Sequence, residues 1–203
     1  MNWNFRPDQL AAYRTGGFEL LALNKPDARD RKDRPVGKAP LNTGWRRAPA
    51  LTFEQAVQLM TEEEHNVGVR LRDTDLVIDV DPRNFADGED PLARLQADLN
   101  IDLSGAPTVI TGSGGKHIYL RKPAEVAVRD SLDAYQGVEF KSLGRQVVAA
   151  GSVHPSTLMP YTMDELSDAL ADRPDAPHGL LEVIKRPGRM GGAESGKYRP
   201  EQI

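Results

Sequence analysis

Cysteine is absent from the 203 residues, which removes disulfides, thiolate nucleophiles and thiolate metal sites together. No apolar run approaches the roughly 18–20 residues that a membrane-spanning helix needs. The opening Met1-Asn2-Trp3-Asn4-Phe5-Arg6 lacks the basic-then-apolar layout of a secretory signal. An excess of positive charge is missing too. The net charge is -4, which by itself argues against a nucleic-acid binder. What is present, 39% hydrophobic and 28% charged residues with a mean hydropathy of -0.51, describes a soluble globular protein expected in the cytoplasm. At roughly 150 residues per domain, the length allows one domain with an appendage.

The charge is unevenly spread. Residues 1–50 hold ten Lys and Arg against five Asp and Glu, whereas residues 51–104 hold four against thirteen. Gathering carboxylates in one segment and cations in another suits a metal site beside a polyanion site, although solvated surface charge gives the same count.

Local patterns predict a mixed α and β chain. Pro7 opens a helix that stops at Gly16-Gly17, and Phe18 to Leu23 is a short strand. Residues 24–50 are basic, Pro-rich and aperiodic. Thr52 and Gln55 form a capping box for a helix to about Glu64. Asn66–Leu71 and Asp75–Asp81 read as consecutive strands, and Asp90-Pro91 opens a helix with Leu92, Leu95 and Leu99 at helical spacing. Strands at 108–110 and 117–120 flank a Gly turn. A strand pair is expected at 137–141 and 145–150, then a helix from Thr162 to about Ala171 and a last one near 179–185. From Pro187 the chain reads as a flexible linker, so the domain is placed at 1–186 and the tail at 187–203.

Three segments carry chemistry. On a strand, Leu76-Val77-Ile78-Asp79-Val80-Asp81 sends both carboxylates to one face, with Leu76, Ile78 and Val80 on the other. Adjacent carboxylates suit a divalent cation, and a strand end entering a loop is the plainer alternative. The turn Thr111-Gly112-Ser113-Gly114-Gly115-Lys116-His117 can aim backbone amides at an anion beside Lys116; an ordinary hairpin loop is its alternative. It is not a Walker A loop, since His117 stands where Ser or Thr is required. Finally, Glu139 and Lys141 alternate with Val138 and Phe140, which adds a third carboxylate. Three carboxylates from two strands are what two metal ions require.

A strand DxD, a Ser-Gly-Gly-x-His turn and a Gly-hydrophobic-acid strand, in that order, resemble the archaeo-eukaryotic primase superfamily. More narrowly, the chain resembles the bifunctional primase–polymerase N-terminal domain of plasmid and phage-type replication proteins. Lys38-Ala39-Pro40, Gly44-Trp45, Asn66-Val67-Gly68-Val69 and Ser152-Val153-His154-Pro155-Ser156 extend the likeness over most of residues 5–163. It implies an α/β module joined to an RRM-like module, with the active site in the cleft between them. It implies metal ligands at Asp79, Asp81 and Glu139 for two Mg²⁺ or Mn²⁺ ions, and nucleotide contacts at Ser113 and His117. Gly114, Gly115, Lys116, Lys141 and Arg145 are further nucleotide candidates. Arg34, Lys38, Trp45, Arg46 and Arg47 are candidates for the DNA template. The implied partners are a single-stranded template with its primer, dNTPs or rNTPs, and a helicase or helical priming region. The third acid of the family is commonly Asp, and Ala150-Gly151-Ser152 replaces its Pro-Pro-Ser. A DxD-dependent glycosyltransferase and a catalytically inactive nucleic-acid-binding module are the competing assignments.

Overall fold

Pro7 fits the first turn of a helix, where a missing N–H costs nothing. In the computed structural model, which describes residues 3–187, Pro7–Leu10 is a 3₁₀ turn continuing into α1, Ala11–Thr15. A strand, β1 (Glu19–Ala22), follows. Thr52 and Gln55 cap each other's backbone, as the sequence predicts, and start α2, Phe53–Thr61. Residues 24–50 form no helix or strand of their own. They are pinned instead by single bridges, Leu23 to Pro40 and Leu20 to Leu51, and by the buried Asn66 side chain, which donates to the Gly37 carbonyl.

The remaining strands are β2 (Val67–Arg70), β3 (Asp75–Val80), β4 (Thr108–Ile110), β5 (Lys116–Arg121), β6 (Val138–Lys141), β7 (Gln146–Val148) and β8 (Thr162–Met163). They form two antiparallel sheets, one ordered β1-β2-β7 and the other β6-β3-β5-β4-β8. The architecture is mixed α+β, as expected. The sequence pairs β6 with β7, but the structure does not: β6 joins β3 and β7 joins β2. The turn at Leu143-Gly144 carries the chain from one sheet to the other. Likewise β2 and β3, adjacent in sequence, lie in different sheets.

Alternation along β3 explains its continuous apolar run. Leu76, Ile78 and Val80 pack with Leu95 of α3 (Pro91–Leu99) and with Leu180 and Ile184 of α4 (His178–Ile184). Val77 faces the other way, into a core shared with Tyr13, Phe18, Val69 and Tyr119. The large sheet is thus covered on both faces, and the face carrying Val77 and Asp79 opens only at the Asp79 end. In the βαββαβ pattern of an RRM a second helix precedes the last strand. Residues 122–137 form none, and α4 packs on that side of the sheet instead.

The helix expected from Thr162 is also replaced. Thr162 pairs with Ile110, and the Met163 N–H donates to the Gln9 side chain at 2.8 Å. These long-range bonds hold the segment extended, and only a 3₁₀ turn, Leu170–Asp172, follows. Met163, Leu166 and Leu170 have helical spacing, but the strand pairing overrides it, and Leu166 is left 94% exposed. Among the described residues, no helix is long and apolar enough to cross a membrane. The tail, past Pro187, lies outside the described residues.

Candidate active site

Strand register sets the site. Asp79 lies directly opposite His117 of β5 and Glu139 of β6, and residues facing each other across antiparallel strands share a face. His117 Nε2 is 3.6 Å from one Asp79 oxygen. The other oxygen is 2.7 Å from Lys141 Nζ, which also reaches Glu139 at 3.1 Å. Asp81 stands just past β3, where it caps the 3₁₀ turn Pro82–Asn84. Both its oxygens are taken by the Arg83 guanidinium, at 2.9 and 2.7 Å. Asp79, Asp81, Arg83, His117 and Lys141 surround a cavity of about 200 Å³, lined also by Lys38, Thr111, Ser113, Tyr161 and residues 146–148 of β7. The cleft therefore lies between the two sheets.

The glycine-rich turn works differently from the sequence expectation. The Gly114 N–H donates to the Thr111 carbonyl and the Gly115 N–H to the Thr111 hydroxyl, both at 2.9 Å. Those two amides are committed inside the turn and cannot converge on an anion. The glycines serve close approach instead. A Cβ on Gly115 would run into the Val80 carbonyl oxygen, and one on Gly112 into the Met159 carbonyl oxygen. Ser113, 3.1 Å from the Thr111 hydroxyl, is left lining the cleft.

Other candidates separate. Lys116 pairs with Val80 and Ile110, one step out of phase with His117, so alternation puts it on the opposite face. Arg145 sits at the turn between the sheets, 2.7 Å from Asp130, in a different cavity. Its neighbour Gln146 lines the cleft in its place. Glu139 is 58% exposed and meets the cleft only through Lys141. Among the loop cations, Arg34 is paired with Asp30 at 2.7 Å. Trp45 is half-buried against the core, with Arg46 over its ring at 4.9 Å, and Arg47 shares a groove of about 730 Å³ with both. Lys38 leaves that group and enters the cleft. Arg83, Gln146 and Tyr161 are cleft residues that the sequence did not single out. Arg83 alone had a local signal, since an Asp before Pro-Arg is placed to cap a turn and hold the arginine.

The electrostatics follow from burial and these pairs. Burial pushes the Asp79 carboxyl up, but the surrounding positive charge outweighs it and holds the group below the usual carboxylate range. The largest of these opposing influences is His117, followed by Lys141 and Lys38, and His117 is itself pushed below the usual histidine range by burial against an upward pull from Asp79. The hydrogen bonds from Arg83 hold Asp81 low as well. Lys141 is pulled down by burial and raised more strongly by Asp79 and Glu139. Burial, then Arg83, pulls Lys38 down.

Among the described residues no group of three His, Asp or Glu side chains is close enough to hold a metal ion. The two ionised carboxylates of Asp79 and Asp81 are nevertheless hard oxygen donors lining one cavity. Mg²⁺ is commonly held by one or two carboxylates completed by substrate phosphates rather than by an all-protein cage. The donor set fits that kind of site.

His154, beyond Tyr161, is pushed down to about 4 by burial and then by Lys38 and Arg83, against a pull upward from Asp81. His117 and His154 both have folded pKa values below the roughly 6.5 of an unfolded histidine, so the unfolded chain takes up protons first as the pH drops. The stability they contribute is complete above that value and is lost as pH falls from about 6.5 towards 4. We expect the urea midpoint to fall between pH 7 and pH 5, and His154→Asn to shrink that fall. Asn keeps an acceptor for the Ser156 and Thr157 N–H groups, which donate to His154 Nδ1. An unchanged pH slope in the variant would refute the assignment.

The family model described as bifunctional DNA primase/polymerase, N-terminal (Prim-Pol), matches residues 9–176. No match is found among curated proteins.

Proposed function

The chain belongs to the bifunctional DNA primase/polymerase N-terminal family, and from that premise we propose that it adds nucleotides to a primer on a single-stranded DNA template in the cleft between its sheets. The proposed catalytic domain spans residues 1–186. Its setting would be replication of a phage, plasmid or similar element, where a helicase or helical region would assist priming.

The observation that carries this reading is the interleaving of opposite charges around one cavity: Asp79 and Asp81 among Lys38, Lys141 and Arg83, with Ser113 and neutral His117 alongside. Phosphoryl transfer asks little covalent chemistry of a protein; positioning and charge stabilisation do the catalysis. Asp79 and Asp81 would hold Mg²⁺ or Mn²⁺, supplying charge neutralisation at the triphosphate and a lowered pKa at the primer 3′-hydroxyl. Lys141, Lys38 and Arg83 would balance the triphosphate charge from the walls. Ser113 would hydrogen-bond a phosphate oxygen. His117, neutral through burial, would contribute a hydrogen bond without adding charge.

The test is extension of a primed single-stranded template with dNTPs or rNTPs and either metal. Incorporation supports the reading. Template binding without incorporation under any metal or nucleotide would favour the inactive-module alternative. Lys141→Met gives a finer expectation. Removing the ammonium should weaken nucleotide binding by about tenfold or more, because a hydrogen bond to a charged group contributes about 1.5–3 kcal/mol. The same variant should bind Mn²⁺ more tightly when no nucleotide is present, since Asp79 loses its competing cation. Calorimetric titration reads both, and parallel losses would show that Lys141 merely supports the fold.

A further inference from the structure

The two carboxylates of the cleft are not alike. One Asp79 oxygen takes the Lys141 ammonium at 2.7 Å, and the other has the His117 ring at 3.6 Å. Asp81 is fully engaged. Its Oδ1 accepts the Arg83 backbone N–H at 3.2 Å and Nε at 2.9 Å, and its Oδ2 accepts a second guanidinium nitrogen at 2.7 Å and the Asn84 amide at 3.4 Å. A carboxylate offers about four lone-pair sites, so Asp81 in this state has none to give a cation. We propose that Arg83 is a positioning residue that closes Asp81 to metal until a polyphosphate draws its guanidinium away, so that metal and nucleotide bind as one linked event. The inference rests on the nucleotidyl-transfer reading.

Three observations carry it. The first is how lightly the guanidinium is held. Among the described residues it has no hydrogen bond or ion pair except those to Asp81, and the side chain is 54% exposed, so its release strands no charge in the interior. The second is its place on the cleft wall, which it shares with Lys38 and Lys141. An anion entering there meets a planar fork that fits phosphate oxygens as well as it fits a carboxylate. The third is that the local fold does not depend on the fork. The 3₁₀ turn Pro82–Asn84 is capped through the Arg83 backbone N–H, so the side chain can leave while Asp81 stays where it is. A ligand that takes Arg83 thereby raises the affinity of Asp81 for a cation. By linkage, the cation raises the affinity for that ligand by the same factor.

The experiment measures Mn²⁺ binding without nucleotide, by paramagnetic resonance of the free ion, for the intact chain, Arg83→Met, Asp81→Asn and the double variant. Tripolyphosphate binding is titrated alongside, with and without Mn²⁺. Arg83→Met should bind Mn²⁺ at least about fivefold more tightly than the intact chain, the low end of ordinary coupling between sites. It should bind tripolyphosphate more weakly in metal-free buffer, and the factor by which Mn²⁺ tightens tripolyphosphate binding should shrink. In the Asp81→Asn background the gain in Mn²⁺ affinity should vanish, because no carboxylate is then masked. A gain of the same size in that background would overturn the proposal, since Arg83 would then act only as a nearby positive charge. So would an unchanged Mn²⁺ affinity in Arg83→Met, an unchanged coupling factor, or Mn²⁺ and tripolyphosphate affinities that fall together, which marks a residue that merely supports the fold. None of these readings requires catalysis. If they come out as expected while the intact chain extends no primer with any nucleotide, the nucleotidyl-transfer reading fails and the closure of Asp81 by Arg83 stands.

Discussion

Primer extension should fall by roughly a thousandfold or more when Asp79 and Asp81 are both replaced by Asn. A metal ion contributes several kcal/mol to such a transition state, and each 1.4 kcal/mol or so is tenfold in rate. The fold should survive. Each acid has its own counter-ion, Lys141 for Asp79 and Arg83 for Asp81. After substitution Lys141 keeps Glu139 and Arg83 is more than half exposed, so neither cation is stranded. Partly exposed pairs of this kind contribute about 1 kcal/mol or less. Nucleotide binding without metal should tighten, because Lys38, Lys141 and Arg83 then face the triphosphate without opposing carboxylates. The pattern to look for is lost extension beside retained or stronger nucleotide binding. Wild-type extension by the double variant would place the active site elsewhere.

The second large effect lies at the other end of β3. Asp75 is 1% exposed and accepts from the Arg72 side chain at 2.9 and 3.0 Å and from Arg173 at 3.3 Å. Arg173 is also buried. It lies over the Phe18 ring at 4.4 Å, donates to the Gly16 and Leu170 carbonyls, and already has one nitrogen, Nε, without a partner. Asp75→Ala would leave that guanidinium in the interior without its counter-charge. Removing one partner of a buried pair typically costs about 3–5 kcal/mol, and urea denaturation should show a loss of that size. Replacing both Asp75 and Arg173 by apolar residues should cost much less, because no buried charge is then left unpaired. A single-variant loss below about 1 kcal/mol would mean that water reaches Arg173.

Much of the site was legible because it depends on nearest-neighbour geometry. Alternation on 75–81 and the hairpin at 111–117 are local, so Asp79, Ser113 and His117 could be singled out from the chain alone. The same rule, applied strictly, separates Lys116 from His117, since adjacent residues on a strand face opposite ways. The amides of Gly114 and Gly115 turn inward for a local reason as well: Thr111 offers one a carbonyl and the other a hydroxyl. Lys38 could not be placed, because residues 24–50 have no periodicity and their path is set by bridges to β1 and by the Asn66 side chain.

The amino-acid sequence by itself determined the mixed α+β class, the capping of α2, the two-faced burial pattern of β3 and the family. Each is written in spacings of a few residues, where propensity, capping and the two-residue strand period act directly. The tertiary structure alone decided that β6 and β7 part into different sheets, that Lys38, Arg83, Gln146 and Tyr161 complete the cleft, and that Arg145 leaves it for Asp130. Backbone hydrogen bonds are chemically alike from strand to strand, so which strands pair, and which loops return to the site, is settled only when the two cores close and their side chains compete for burial.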